Sequence, residues 1–183
     1  MSLTPHVIRL SRRGRALGTR ALGEDVAQEV REASRTASAL IVDFQGVRVA
    51  SSPFLDEVAC ALRSAIADQR QSYVLLANLN EDLADTMKLV LARRGMMLGA
   101  LDGEQLEVLG GGPHLQETLA AAQELGTFTA AELAERLAQK LPNLHQRLAQ
   151  LQDAGVISSE EDPTARRGRR LRFNVADLQS AGC

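Results

Sequence analysis

Residues 38–44 read SALIVDF, a nearly unbroken apolar run with a single carboxylate at Asp43. A strand with one wet face alternates apolar and polar side chains. A run without alternation fits a strand buried on both faces, as in a parallel sheet. Residues 73–77, YVLLA, repeat the pattern. Between the two runs, Phe54, Leu55, Val58, Ala59, Leu62 and Ile66 recur at helical spacing. Ser52 is suited to cap that helix and Pro53 to its first helical position.

The same alternation of strand and helix extends to both sides. Val7–Leu10 reads as a first strand, followed by a basic, glycine-bearing turn, SRRGRALG. Glu24–Ala33 reads as a helix with Val26, Ala27 and Val30 inward. Gly46 breaks the apolar run, and Val47 and Val49 resume it. Asn80 or Glu81 opens a helix to about Arg93, which Gly95 ends. Asp102-Gly103 between residues 96–101 and 105–109 is a hairpin signal. Alternating strands and helices make this part α/β.

The C-terminal third reads differently. Thr129 and Glu132 have capping-box spacing ahead of Leu133, Ala134, Leu137 and Ala138. A second short helix opens at Pro142, carries Leu144, Leu148 and Leu151 on one face, and stops at Gly155. Two helices joined by a tight turn form a helix-turn-helix. Residues 156–159 and 171–175 then read as a hairpin around a charged loop, the wing of a winged helix-turn-helix. Residues 114–124 supply its first helix, with Leu115, Leu119 and Ala122 inward. The run GGGP at residues 110–113 reads as a hinge, which divides the chain into units 1–112 and 113–183. It lacks the lysine and hydroxyl pattern of a phosphate-cradling loop.

Two resemblances follow from these residues. Thr129, Glu132, Leu133, Ala134, Pro142, Leu148, Leu151, Gly155, Val156 and Ile157 match a pattern common in MarR- and ArsR-like bacterial regulators. That resemblance implies a helix 142–153 in the DNA major groove and a wing on the backbone or minor groove. The stretch LIVDFQGVRVASSPFLDEV is similar to the core of STAS-like domains, related to anti-sigma-factor antagonists. The GTRALG run at residues 18–23 resembles the same family's segment before its first helix. This second resemblance implies a mixed sheet with helices over roughly residues 7–109. It also implies a serine phosphorylated by a partner kinase, at the positions of Ser51 and Ser52.

Composition narrows the function. Apolar residues make up 45% and charged residues 24% of 183, the balance of an ordinary globular chain. One Tyr, four Phe and no Trp leave few rings for stacking on single-stranded bases. The net charge is −2, and residues 113–183 hold eight Lys/Arg against nine Asp/Glu. Placement offsets that total: Arg166, Arg167, Arg169, Arg170 and Arg172 crowd the expected wing, where they would meet phosphates. Asn143, His145, Gln146, Arg147 and Gln150 give the second helix side chains suited to base edges. Cys60 and Cys183 have no metal or disulfide spacing, Cys60 reading as a buried small hydrophobe. His6, His114 and His145 are scattered, and Asp43 stands alone at a strand end. Neither a catalytic constellation, a metal site nor a cofactor is expected, and neither a signal peptide nor a membrane span.

The chain is therefore expected to be a cytosolic, non-enzymatic regulator that binds double-stranded DNA as a homodimer. Its STAS-like unit would sense, dimerise or dock a protein partner. The alternative is a protein-interaction module of a partner-switching pathway, with the winged unit serving as a contact surface.

Overall fold

A computed structural model describes residues 5–68, 73–103, 105–162 and 171–176. The chain runs β1 (Pro5–Arg9), a 3-10 turn (Leu10–Arg13), β2 (Ala16–Leu17), α1 (Arg20–Ala33), β3 (Ala39–Asp43), β4 (Val49–Ala50) and α2 (Ser52–Asp68). It continues through β5 (Tyr73–Ala77), α3 (Glu81–Arg94), β6 (Leu98–Asp102), β7 (Gln105–Leu109) and α4 (Pro113–Leu125). It closes with β8 (Thr127–Thr129), α5 (Ala130–Arg136), α6 (Leu141–Asp153), β9 (Ile157–Glu161) and β10 (Leu171–Val175).

The five-stranded sheet has the order β1-β3-β5-β6-β7, parallel up to β6 and antiparallel at β7. The last pair closes through the Asp102-Gly103 turn, with Gly103 at φ 60°. A sheet that grows in one direction through crossovers of one hand collects its crossover helices on one face. Side chains from α1, α2 and α3 accordingly share one apolar cluster with Ile8, Leu40, Val42, Val74, Leu76 and Leu98. Gly23 of α1 is required there, because a Cβ would come within 3.0 Å of the Phe54 carbonyl oxygen on α2. Arg94 of α3 grips Asp56 of α2 through two hydrogen bonds, of 2.9 and 2.6 Å, and holds that carboxyl below its usual pKa.

The opposite sheet face is covered by the C-terminal third. Leu75, Leu106 and Val108 join a second cluster with Leu115, Leu119, Phe128, Leu133, Leu144, Leu148, Leu151, Val156 and Phe173. The passage at residues 112/113 thus separates chain segments more cleanly than it separates cores. The run at residues 110–113, read as a hinge, is bracketed by local hydrogen bonds. Gly111 donates to the Val108 carbonyl, Gly112 caps α4, and the Gln116 amide bonds both the N–H and the C=O of Val108.

Contact between the two parts is closest at the amino ends of β5 and β6. The Gly99 amide donates to the Ala154 carbonyl at 2.7 Å, and the Val74 amide to the Gly155 carbonyl at 3.3 Å. The Tyr73 hydroxyl shares a 2.9 Å hydrogen bond with Ser158 and donates to the Asn174 carbonyl. Both glycines permit this approach. A Cβ on Gly99 would lie 2.4 Å from Val156 Cγ1, and one on Gly155 would lie 2.8 Å from the Val74 carbonyl oxygen.

Several local expectations shift. The first helix starts at Arg20, not Glu24, because the Thr19 hydroxyl caps it by accepting from the Leu22 amide. Residues 18–23, expected before that helix, lie largely within it. Ser51, not Ser52, holds the cap position of α2: its hydroxyl accepts from the Phe54 amide and its carbonyl from Leu55. Pro53 is therefore the second helical residue. Val49–Ala50 pairs with β2 in a sheet of its own rather than extending β3. Cys60 is half-buried, and desolvation raises its pKa. Cys183 lies outside the described residues.

Gly155 combines φ 76° with the contact to Val74, so Gly155→Ala should lower stability by about 2–4 kcal/mol. Gly18→Ala, with open space around the position, should change it by less than about 0.5 kcal/mol. Urea unfolding followed by circular dichroism and by the fluorescence of the chain's one tyrosine, Tyr73, measures both.

Candidate nucleic-acid interface

The candidate surface is built on α5, the turn after it, α6, and the β9–β10 pair. Thr129 opens α5 with a complete capping box: its hydroxyl accepts from the Glu132 amide, and its own amide donates to the Glu132 carboxylate at 2.7 Å. Thr129 also ends β8, a strand of three residues that sequence reasoning missed. β8 pairs with β10, giving a sheet of order β8-β10-β9. A three-residue strand has too little length to show a period. Phe128 within it stacks on Phe173 of β10 with ring centroids 5.7 Å apart.

After α5 the chain turns sharply, with Ala138 at φ 49°. The Gln139 amide donates back to the Ala134 carbonyl. Leu141 and Pro142 then start α6. Leu144, Leu148 and Leu151 are buried, and this row fixes which side of α6 faces outward. At 100° per residue, Pro142, Gln146, Ala149 and Asp153 stand opposite that row. His145 flanks them on one side, Asn143 and Gln150 on the other.

The residues singled out from sequence therefore separate. Asn143, His145 and Gln146 are exposed on the amino-terminal half of α6, while Gln150 is half-buried. Arg147 departs from the group. It lies beside the buried row, half-buried, and its guanidinium donates to the Thr118 hydroxyl at 3.2 Å. Thr118 is fully buried and donates in turn to the His114 carbonyl. Arg147 thus joins α6 to α4. The spacing signals only that Arg147 lies beside the buried row, one residue before Leu148 and three after Leu144, and not which partner it meets.

Arg166, Arg167, Arg169 and Arg170 lie outside the described residues. Arg172 is exposed on β10, in register with Thr129 on one side and Glu160 on the other. The stem of the hairpin therefore brings acids as well, since Glu161 faces Leu171 in the same register. The Asn174 amide donates to Glu160 and the Thr127 hydroxyl to Asn174.

The surface can offer a row of amide and imidazole groups from a helix whose other face is anchored in a core. The carboxyl end of that helix, Ala154–Val156, is pinned on β5 and β6. Gly155 was expected to end α6, but neither its contact with Val74 nor any part for Tyr73 or Gly99 in positioning the helix was expected. A glycine inside a strand, such as Gly99, is the one signal that could have pointed there.

Ser51 and Ser52 lie on the first part, away from this surface. The Ser51 hydroxyl donates to the Gly18 carbonyl at 2.9 Å while capping α2. Ser52 is half-buried in the first helical turn. Asp43 accepts from the Gln45 amide and from the Asn78 side chain, both at 2.8 Å, and so supports a turn in which Asn78 holds φ 56°. Among the described residues no group of His, Cys, Asp and Glu is arranged to hold a metal ion, and no helix is long and apolar enough to cross a membrane.

Comparison with protein-family models, with curated proteins and with solved structures gives no match to this chain.

Ser51→Ala should cost about 1 kcal/mol through loss of the cap, whereas Ser52→Ala should cost less than about 0.5 kcal/mol. Equilibrium urea denaturation distinguishes them. Equal losses would remove the assignment of Ser51 as the cap.

Proposed function

We propose that this chain is a transcriptional regulator that binds double-stranded DNA through a C-terminal winged helix-turn-helix of the MarR/ArsR-like kind. The observation that carries the reading is the order α4-β8-α5-α6-β9-β10, with the exposed amino-terminal half of α6 bearing Asn143, His145 and Gln146. A recognition helix reads bases with its amino-terminal residues while its apolar face holds it in the domain. Amide side chains pair with adenine edges, and an imidazole donates or accepts at a groove edge. The arginines at 166, 167, 169 and 170 supply phosphate contacts, which set affinity without reading sequence.

In this reading residues 1–112 form a STAS-like unit that dimerises, senses or docks a partner, and the protein acts in the cytosol without a catalytic role. The parallel strands with their helices on one face, and the cap at Ser51 in the loop resembling that family's phosphorylated segment, support it. A partner-switching module remains the second reading. The net charge of −2 and the acids at Glu160 and Glu161 on the hairpin stem favour it.

The test is a titration of specific and random duplexes at two salt concentrations. Arg167→Ala with Arg169→Ala should weaken binding to both duplexes and reduce the slope of log K against log salt by roughly 0.9 per lost phosphate contact. Gln146→Ala should cost about 1–3 kcal/mol on the preferred site and much less on random DNA. Arg147→Ala should lower thermal stability and leave the preference between duplexes intact, because its partner is Thr118. Absence of binding at low salt would overturn the regulator reading and leave the docking reading.

A further inference from the structure

We propose that two copies of this chain associate through the carboxyl end of the five-stranded sheet, arginine loops of each against an acidic cleft of the other. The loop after β1 and the loop after β3 lie together. The Arg48 amide donates to the Arg15 carbonyl at 2.8 Å, and Gly46 sits against Ser11. These loops and the end of β1 carry Arg9, Arg12, Arg15 and Arg48, all exposed. Among the described residues none of the four has an ion-pair partner, whereas their neighbour Arg13 is engaged by Glu29. Val49, 56% exposed, adds an apolar contact beside Arg48.

Further along the same end of the sheet lies a cleft of about 240 Å³ lined by Glu81, Asp85, Asp102 and Glu107. Among the described residues that line it, the one cation, Lys88, is paired with Asp85. Because β1, β3, β5 and β6 are parallel, the arginine loops and the cleft share one end of the molecule. At about 4.8 Å per strand, the ends of β1 and β6 are roughly 15 Å apart.

This arrangement decides the symmetry. Complementary patches at opposite ends of a molecule join head to tail and grow filaments. Two complementary patches on one end let a two-fold axis pass between them, so that each copy's arginines meet the other's carboxylates and the contact closes as a dimer. The surface of α6 stays outside this contact, since α6 is anchored at the amino ends of β5 and β6.

The experiment is sedimentation of the full chain without DNA, so its failure and that of the DNA reading are separable. Wild-type protein should be dimeric at about 50 mM salt and move toward monomer near 500 mM, where screening shortens to a few Å. The variant Arg12→Glu/Arg15→Glu should dimerise at least roughly tenfold more weakly, and Asp85→Arg/Glu107→Arg likewise. Mixed in equal amounts, these two variants should form a heterodimer, because every reversed patch then faces its opposite. A wild-type monomer at low salt, a dimer indifferent to salt, or variants that stay monomeric when mixed would each overturn the proposal. If either variant fails to fold by circular dichroism, the salt response of the wild type and of Arg12→Gln/Arg15→Gln decides: an unchanged dimer in both refutes it.

Discussion

The structure depends on covering the second face of its central sheet. β3 and β5 are apolar on both sides, so each face needs a partner layer. The one-directional strand order commits α1, α2 and α3 to a single face, where they share a core. Leu75, Leu106 and Val108 would otherwise place their apolar surface in water, at a cost of about 25 cal/mol for each Å² left exposed. The C-terminal third fills that vacancy. Its attachment is therefore part of the fold of residues 1–112, and the glycines at 99 and 155 are the positions where backbone must approach backbone.

That attachment reaches α6. The segment Ala154–Val156, which ends the helix, bonds β5 and β6 through main-chain groups, and Tyr73 adds bonds to Ser158 and Asn174. A helix held by Leu144, Leu148 and Leu151 on one face and pinned at its carboxyl end has little freedom to rock. Any event that shifts the sheet must then shift the helix, or break contacts that include a buried tyrosine hydroxyl.

Much of this was legible in the sequence, and the gaps have physical causes. Helix ends marked by a side-chain oxygen or by glycine were readable at Thr129, Asn80, Gly95 and Gly155, because capping is chemistry between residues three or four apart. The cap of α2 was placed one residue late, because Ser51 and Ser52 are chemically alike. Ser51 is set apart by its bonds to the Phe54 amide and to the Gly18 carbonyl, the latter thirty-three positions away. β8 was missed because its three residues exist as a strand only by pairing with β10. The glycines at 110–112 read as a break in the chain, and the side chain of Gln116 bridges that break by bonding Val108. On α6 the exposed Asn143, His145 and Gln146 followed from the spacing of the leucines. The commitment of Arg147 to Thr118 depended on where α4 packs, which no local pattern encodes.

Charge makes the last step. A total of −2 argues against nucleic-acid binding only if charge is spread evenly, and here it is not. Along the carboxyl end of the sheet, positive loops give way to an acidic cleft, while the outward face of α6 is mostly neutral and polar. With a Debye length near 8 Å at physiological salt, a phosphate at α6 is largely screened from charges more than one such length away. On and beside α6 the charged side chains are Lys140 just before its start, Arg147 turned toward Thr118, and Asp153 at its far end. Under the proposed DNA reading, polar groups in a nearly neutral local field would give discrimination with little non-specific attraction. In the proposed reading, affinity for DNA would then rest on Arg166, Arg167, Arg169 and Arg170 and on two chains sharing one duplex, the conditions under which an acidic protein can be selective for DNA.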